Sequence, residues 1–239
     1  MHLLDLTLPT PAENLACDEV LLDNAEAGHG DEVLRFWESP HPFVVLGYSN
    51  HIDTEVNLDA CASRRIPVLR RCSGGGTVVQ GPGCLNYALV LRITDDGPLA
   101  NVTSTNTFIM QHHAETLTRL LHRNVEVRGI TDLAINDLKF SGNAQRRKRR
   151  YLLFHGTFLV GFDLPLIEKL LLHPARQPDY RANRSHHAFV TNLPTSVGTI
   201  KVILRSHWKA SAVMNNIPLA AIHQLAADRY SCPEWTCKF

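Results

Sequence analysis

Three features of the sequence predict an α+β fold with a mixed, largely antiparallel sheet flanked by helices. Strand-like runs follow one another across turn residues, as at Gly81-Pro82-Gly83 and Asn136-Asp137. Helices with clear start signals or apolar stripes interrupt them. The alternation of strands and helices is too irregular for a doubly wound parallel sheet. Residues 1–239 show no repeat, low-complexity tract or linker, which reads as a single domain.

The elements follow in order. His2 to Thr7 reads as a strand. Thr10-Pro11-Ala12-Glu13 is a capping box with proline at the first helical position, so a helix starts there. Leu15, Val20, Leu22 and Ala25 give that helix its apolar stripe, and Gly28 stops it. Val33 to Trp37 and Phe43 to Leu46 read as strands parted by Ser39-Pro40-His41-Pro42. A short helix is expected over Leu58 to Arg65, and a strand from Pro67 to Arg71 runs into Ser73-Gly74-Gly75-Gly76. Thr77 to Gln80 and Tyr87 to Ile93 are further strands. Thr105 to His122 is the longest expected helix, with Ile109, Leu117, Leu120 and Leu121 facing inward. Val125 to Arg128, Asp132 to Asn136, Lys139 to Gln145 and Tyr151 to Val160 are strand-like, with hairpin turns at Asn136-Asp137 and in the Arg146 to Arg150 run. Helices near Leu164 to Leu172 and Pro218 to Tyr230 flank a polar, loop-rich stretch from Pro174 to Pro194.

Composition narrows the function. Hydrophobic residues make up 44% and charged residues 20%, and the net charge is +1. That balance gives no general attraction to nucleic acid or to an anionic membrane, so neither is expected as a partner. No apolar stretch approaches the roughly 20 residues a membrane span needs, and the N-terminus carries no signal-peptide pattern. The six cysteines, at 17, 61, 72, 84, 232 and 237, form no Cys-x-x-Cys pair and no zinc spacing. They read as reduced thiols, and the expected location is cytoplasmic.

Two stretches carry chemistry. In Leu69-Arg70-Arg71-Cys72-Ser73-Gly74-Gly75-Gly76-Thr77-Val78-Val79 a strand ends in two arginines and three glycines. Glycines let the backbone approach a ligand, successive amides can cradle an anion, and arginine adds charge-assisted donors. No Gly-Lys-Ser/Thr closes the loop, so it is not a P-loop, and strand residues follow where a dinucleotide fingerprint would open a helix. A flexible turn with solvated arginines carries about half the weight on composition alone.

The second stretch is Asn136-Asp137-Leu138-Lys139-Phe140-Ser141-Gly142-Asn143-Ala144-Gln145. As a regular strand it would place Lys139, Ser141 and Asn143 on one face. Its small residues leave room for a molecule to lie against the backbone, although an edge strand protected by lysine is the commoner reading of such a segment. Phe154-His155-Gly156-Thr157 follows one hairpin later.

Taken in order, these motifs resemble those of the lipoate–protein ligase family. Arg70-Arg71-x-Ser73-Gly74-Gly75-Gly76-x-Val78 is similar to that family's Arg-Arg-x-x-Gly-Gly-Gly signature. Trp37-x-x-x-x-Pro42-x-Val44-Val45-Leu46-Gly47 and the helix Asn14-Leu15-Ala16-x-Asp18-Glu19-x-Leu21-Leu22 also resemble it, as do the Lys139-x-x-Gly142-x-Ala144 strand and His155-Gly156-Thr157. The resemblance runs from about residue 14 to residue 161. It implies the catalytic-domain fold shared with biotin protein ligases. It implies that Lys139 is the catalytic residue, stabilising negative charge on the phosphoryl oxygens as a carboxylate attacks ATP. Arg70, Arg71, Ser73, Gly74, Gly75, Gly76, Val78, Gln80, Asn86, Gly142, Ala144, His155, Gly156 and Thr157 are then expected around the acyl adenylate. Asp132, at the place of a family Asn-Asp, is a candidate Mg²⁺ ligand.

The resemblance further implies ATP and Mg²⁺ as cofactors and lipoate or octanoate as the acid. The acceptor would be a lysine on an apo-lipoyl domain of a 2-oxoacid dehydrogenase or on a glycine-cleavage H protein. Ile217 to Phe239 is too short for the accessory domain many ligases carry, so the expected alternatives are an enzyme that works without it, a separate accessory polypeptide, or a chain that only transfers from a preformed adenylate. Gln80-Gly81-Pro82-Gly83 is closer to the His-Gly-Pro-Gly of octanoyltransferases, which move acyl chains between carrier proteins through a cysteine without ATP. Leu85 to Ser231 holds no cysteine, and Cys72 and Cys84 read as buried structural thiols, which weighs against that rival. Arg146 to Arg150 reads as a solvated hairpin tip or as an acidic-partner dock, and the polar loop from Arg176 to His186 has no assigned role.

Overall fold

The computed structural model describes residues 1–174 and 177–239, so Arg176 of the polar loop lies outside the described residues. In chain order they form β1 (His2–Asp5), α1 (Pro11–Ala27), β2 (Val33–Trp37), β3 (Phe43–Leu46), α2 (Ile52–Glu55), α3 (Leu58–Ser63), β4 (Val68–Arg70), β5 (Val78–Gln80), β6 (Cys84–Arg92) and α4 (Val102–Leu121). Then come β7 (Glu126–Arg128), β8 (Asp132–Ile135), β9 (Leu138–Arg147), β10 (Tyr151–Leu159), α5 (Leu164–Leu170), α6 (His186–Phe189), α7 (Val197–His207), β11 (Ala212–Val213), α8 (Leu219–Leu225) and α9 (Pro233–Thr236).

Eight strands build one sheet in the order β11-β1-β2-β6-β10-β9-β8-β7. Among the described residues, only the β11–β1 and β1–β2 pairs of this sheet are parallel, so the expected mixed, largely antiparallel α+β fold is what the chain adopts. A small sheet, β4-β3-β5, packs beside it. The start of α1 is the expected capping box: Thr10 Oγ1 accepts from the Glu13 amide, and the Glu13 carboxylate accepts from the Thr10 amide. Gly28 ends the helix in the left-handed conformation. Asn136 and Asp137, both with positive φ, make the tight β8–β9 turn.

The helix α7 was not anticipated by the strand and helix pattern read above, although Ser196 caps it and Ile200 and Leu204 bury one helical turn apart. Val197, Ile200, Ile203 and Leu204 recur at helical spacing and form its apolar face. Together α4 and α7 cover one face of the large sheet, over Leu34, Phe36, Leu89, Leu152, Phe154 and Phe158. The other face is covered by α1 and α8 and by the edge of the small sheet, over Val33, Trp37, Ala88, Val90 and Leu153. Among the described residues no helix is long and apolar enough to cross a membrane.

Candidate active site

The face covered by α1 and the small sheet departs from apolar alternation in two rows that run straight across the strands. Registration places Arg35 of β2, Ala88 of β6, His155 of β10 and Ala144 of β9 side by side. The next row is Trp37, Asn86, Thr157, Gly142 and Asp132. The sequence-expected residues Asn86, Gly142, Ala144, His155 and Thr157 are thus brought onto one surface.

Lys139 joins that surface through an irregularity. Leu133 pairs with Ser141 and Ala134 with Lys139, so Phe140 is an extra residue on β9, a bulge. The expectation that Lys139 shares a face with Ser141 and Asn143 is therefore corrected. Ser141 and Asn143 turn toward the α4 side, where Asn143 Oδ1 accepts from the Tyr87 hydroxyl at 2.6 Å. Lys139 lies on the opposite side, with its Nζ 2.9 Å from where a Cβ on Gly142 would sit. Any side chain at position 142 would push the ammonium away. Lys139 Nζ pairs with Asp132 Oδ1 at 2.8 Å, and Asp132 Oδ2 accepts from the Tyr180 hydroxyl at 2.8 Å.

The glycine loop closes on the same strip of β9. Gly75 has φ +88°, a conformation L side chains rarely adopt, and a Cβ there would lie 3.7 Å from the Ala144 side chain. Arg71 explains the loop's shape. Its buried guanidinium donates through Nη2 to the carbonyls of Gly74 (2.5 Å) and Gly76 (2.9 Å), and through Nε to Ser73 Oγ (3.1 Å). Burial lowers the Arg71 pKa to about 10, which still leaves it charged at neutral pH. The glycine backbone of this loop is exposed, and successive amides of such a loop can cradle an anion. Arg71 therefore shapes the cradle from beneath.

Beneath the loop runs a buried polar chain. Ser73 Oγ is 2.5 Å from His155 Nε2, and His155 Nδ1 is 3.3 Å from Asp18 Oδ2. Asp18 Oδ1 pairs with Arg35 Nη1 at 2.5 Å, and Arg35 also donates to Asn14 O, Asn14 Oδ1 and Leu6 O. Burial works to raise the Asp18 carboxyl, but the Arg35 charge and the bonds to His155 and Arg35 outweigh it and hold it below the usual carboxylate range. A second chain runs from Gln80 Nε2 to Thr157 Oγ1 and on to Asn86 Oδ1, each step 2.6 Å. It ties β5 to the large sheet. A cavity of about 330 Å³ opens at the end of the strip distant from Lys139, lined by Tyr48, Ser49, Cys72, Gly74 and the Gln145 to Arg147 segment of β9, with Val102 of α4.

Other expected residues lie elsewhere. Arg70 spends its donors on the carbonyls of Gly47, Tyr48, Asn50, Trp235 and Thr236, holding the C-terminal turn to the small sheet. Gly156 faces the α4 side, where a Cβ would collide with Asn143 Oδ1. Its small size serves packing. Val78 is half-buried against the α1 core. The basic run is largely committed within the molecule: Arg147 to Thr105, Leu99 O and Ala100 O, Lys148 to Asp23, and Arg150 to Glu26. Cys72 and Cys84 are buried, and burial pushes the Cys72 thiol up to about 12 and that of Cys84 higher still. Neither is a ready thiolate.

Asp18, Arg35 and Tyr180 were not singled out from the sequence. Arg35 had a signal: a charge in the middle of Val33-Leu34-Arg35-Phe36-Trp37 must be paired if the strand is buried on both faces.

Residues 10–210 match the family model described as the lipoyl protein ligase A/B catalytic domain. An Aeropyrum pernix protein named for lipoate-protein ligase A is 30% identical over 217 residues, covering 89% of this chain and 76% of that protein. Lipoate–protein ligase 1 of Staphylococcus aureus is 30% identical over 170 residues, and octanoyltransferase LipM of Clostridioides difficile 27% identical over 180. The matches cover 70% and 67% of this chain, but only 48% of the former protein and 65% of the latter. Among solved structures, a lipoate-protein ligase A bound with ATP superimposes with TM-score 0.83 at 23% identity, over 99% of this chain and 98% of that one. One from a bi-partite lipoate protein ligase system of Thermoplasma acidophilum gives 0.82 at 24% identity, over 99% and 95%. Both share the fold.

Proposed function

The chain belongs to the lipoyl protein ligase A/B catalytic-domain family, and on that premise we propose that it activates lipoate, or a medium-chain acid, with ATP and passes the acyl group to a lysine of an apo-lipoyl domain or glycine-cleavage H protein. The observation that carries this reading is the meeting of two elements on one strip of β9. The Lys139 ammonium stands over Gly142, and the Gly75 turn stands over Ala144. Between them lies backbone without large side chains.

The acid's carboxylate attacks the α-phosphate of ATP, and pyrophosphate leaves. Negative charge grows on the phosphoryl oxygens, where the Lys139 ammonium and the amides of the exposed glycine loop stabilise it. The acceptor amine then attacks the acyl carbonyl of the adenylate and AMP departs. Mg²⁺ would neutralise nucleotide phosphates. Asp132 is the carboxylate suited to hold it, because each of its oxygens keeps a lone pair beyond the bonds to Lys139 and Tyr180.

The similarity to an octanoyltransferase keeps a nucleotide-free route in view, and the bi-partite system among the structural neighbours favours a second polypeptide as a helper in adenylation. Mass spectrometry of an apo-lipoyl domain, incubated with the chain, ATP and lipoate, tests the reading. A lipoyl mass increment that requires ATP is expected. Its absence, with and without a partner polypeptide, removes the ligase assignment.

A further inference from the structure

We propose that the adjacent carboxylates Asp18 and Glu19 of α1 are positioning residues for the glycine loop, each acting through one intermediary on consecutive residues at its root: Asp18 through His155 on Ser73, and Glu19 through Tyr230 on Cys72. The proposal rests on the reading of that loop as the cradle for nucleotide phosphates and adds what keeps the cradle in place.

The two carboxylates are bonded alike. Each gives one oxygen to an arginine and the other to its intermediary. Asp18 Oδ1 pairs with Arg35 Nη1 at 2.5 Å, and Oδ2 lies 3.3 Å from His155 Nδ1. Glu19 Oε1 pairs with Arg229 Nη1 at 2.8 Å, and Oε2 accepts from the Tyr230 hydroxyl at 2.8 Å. The intermediaries then reach the loop from different elements. His155, on β10, places Nε2 2.5 Å from Ser73 Oγ. Tyr230, in the C-terminal segment, brings its hydroxyl to the Cys72 thiol. The hydroxyl proton is directed to Glu19, so the hydroxyl oxygen accepts and the thiol donates. Burial keeps that thiol protonated and able to do so.

Both chains end where the free part of the loop begins. Ser73 Oγ also accepts from Arg71 Nε, and Arg71 Nη2 donates to the carbonyls of Gly74 and Gly76. A shift of Ser73 is therefore passed to the glycines. Gly74 and Gly76 are exposed, and a Cβ on either would meet nothing within 4 Å, so side-chain packing does not fix them. One residue before Arg71, Trp235 Nε1 donates to Arg70 O at 2.8 Å, and the C-terminal segment thus grips the root at two points.

Stability alone does not call for this arrangement. Buried ion pairs are often no more stabilising than well-packed apolar side chains of similar volume. Two of them on consecutive helix residues, directed to consecutive loop residues, fix a position.

The test reads hydrogen exchange at the Tyr48 amide by NMR, on the ligand-free full chain. That amide donates to Ser73 O at 2.8 Å, so it exchanges when the loop root lets go. Tyr230→Phe and Ser73→Ala each remove one tether and leave both carboxylates paired with their arginines. Each should speed Tyr48 exchange about tenfold. Cys72→Ala should do the same, and Cys72→Ser, which keeps a donor for the Tyr230 hydroxyl, should retain the parent rate. Trp208→Phe, which loses the bond to His113 on the α4 face, should lower stability and leave Tyr48 exchange unchanged. In ATP-dependent lipoylation, Tyr230→Phe and Ser73→Ala should raise KM for ATP about tenfold and leave KM for the acceptor unchanged, a split that a smaller folded fraction does not produce. Variants that melt lower, yet match the parent in Tyr48 exchange and in KM for ATP, reduce the chains to stability and overturn the proposal. Should Tyr230→Phe or Ser73→Ala fail to fold, the Cys72 pair decides by the same exchange rate. If the parent shows no ATP-dependent lipoylation, the ligase reading falls, and the exchange rates still decide whether Asp18 and Glu19 position the loop.

Discussion

The two faces of the eight-stranded sheet are built from alternate residues of the same strands, yet they hold different chemistry. Toward α4 and α7, β6 shows Leu85, Tyr87, Leu89 and Leu91, and β10 shows Leu152, Phe154 and Phe158, all buried and packed as one core. Toward α1 and the glycine loop, the same strands show Asn86, Ala88 and Val90, and Leu153, His155 and Thr157. The apolar half of that second face lies under α1 and α8, and the polar half lies under the loop. Alternation sets which face a residue joins, and the breaks in apolar alternation mark where the site is. A buried charge or hydroxyl must be satisfied, and on this face satisfaction takes the form of chains that cross from the sheet to α1, to the loop and to the small sheet.

The sharpest way to break the contrast is Arg35→Met. On the α4 face a change of this kind would alter packing only. Here it strands the Asp18 carboxylate in the interior, and breaking a buried pair costs about 3–5 kcal/mol. Chemical denaturation should show that loss. A double variant Arg35→Met/Asp18→Asn should recover part of it, since no charge is then left unpaired. Full loss in the double variant would mean that packing, and not the charge, holds α1 to the sheet. Next in size is Lys139→Ala, expected to slow acyl transfer by about 100- to 1,000-fold while the melting temperature stays within a few degrees, because the side chain is 27% exposed. Near-normal transfer by this variant would remove Lys139 from the chemistry.

Much of this was legible in the sequence, and the gaps have physical causes. The capping box, the positive-φ turn at Asn136-Asp137 and the glycine loop are local signals, and each sits where its residues put it. The face assignment of Lys139 failed because a strand's period of two holds only without an inserted residue, and a bulge at Phe140 has no local signature. Arg70 and Arg71 are adjacent and identical in type, yet one holds the C-terminal turn and the other shapes the cradle. Only the tertiary fold separates them. The Asp18–His155–Ser73 chain joins positions 18, 73 and 155, and no spacing rule links residues so distant in sequence.

Gly156 probes the apolar face at the point where it touches the motif. It lies in the row Phe36, Tyr87, Gly156, Asn143, facing away from the loop. Gly156→Ala should therefore destabilise by overpacking, about 1–3 kcal/mol, because the new Cβ meets Asn143 Oδ1. Adding Asn143→Ala should relieve the clash, offset by the lost bonds from Tyr87 and to Thr131 O. If the single variant instead keeps its stability and loses ligand binding, Gly156 belongs to the site after all.

The smallest effect tests the one ionisable side chain that the apolar face buries in α4. His113 is fully buried, stacks edge-on against Tyr87 at 4.9 Å, and accepts from Trp208 Nε1 at 2.9 Å. Burial, aided by His207 and His112, lowers its pKa to about 3, against 6.5 for a free histidine. The folded chain thus keeps His113 neutral while the unfolded chain takes up a proton below pH 6.5, so stability is present above that pH and is lost as pH falls toward 3. From pH 7.5 to 5.5 the unfolded state changes from about one-tenth to nine-tenths protonated at this site, a loss of about 1.4 kcal/mol. His113→Gln retains an acceptor for Trp208 and removes the titration. Denaturation midpoints at the two pH values should differ less in the variant than in the parent by that amount. An identical pH dependence in both would mean that His113 contributes none of it, since Asp18, whose depressed carboxyl loses its stabilisation only as pH falls through the carboxylate range, titrates below this window.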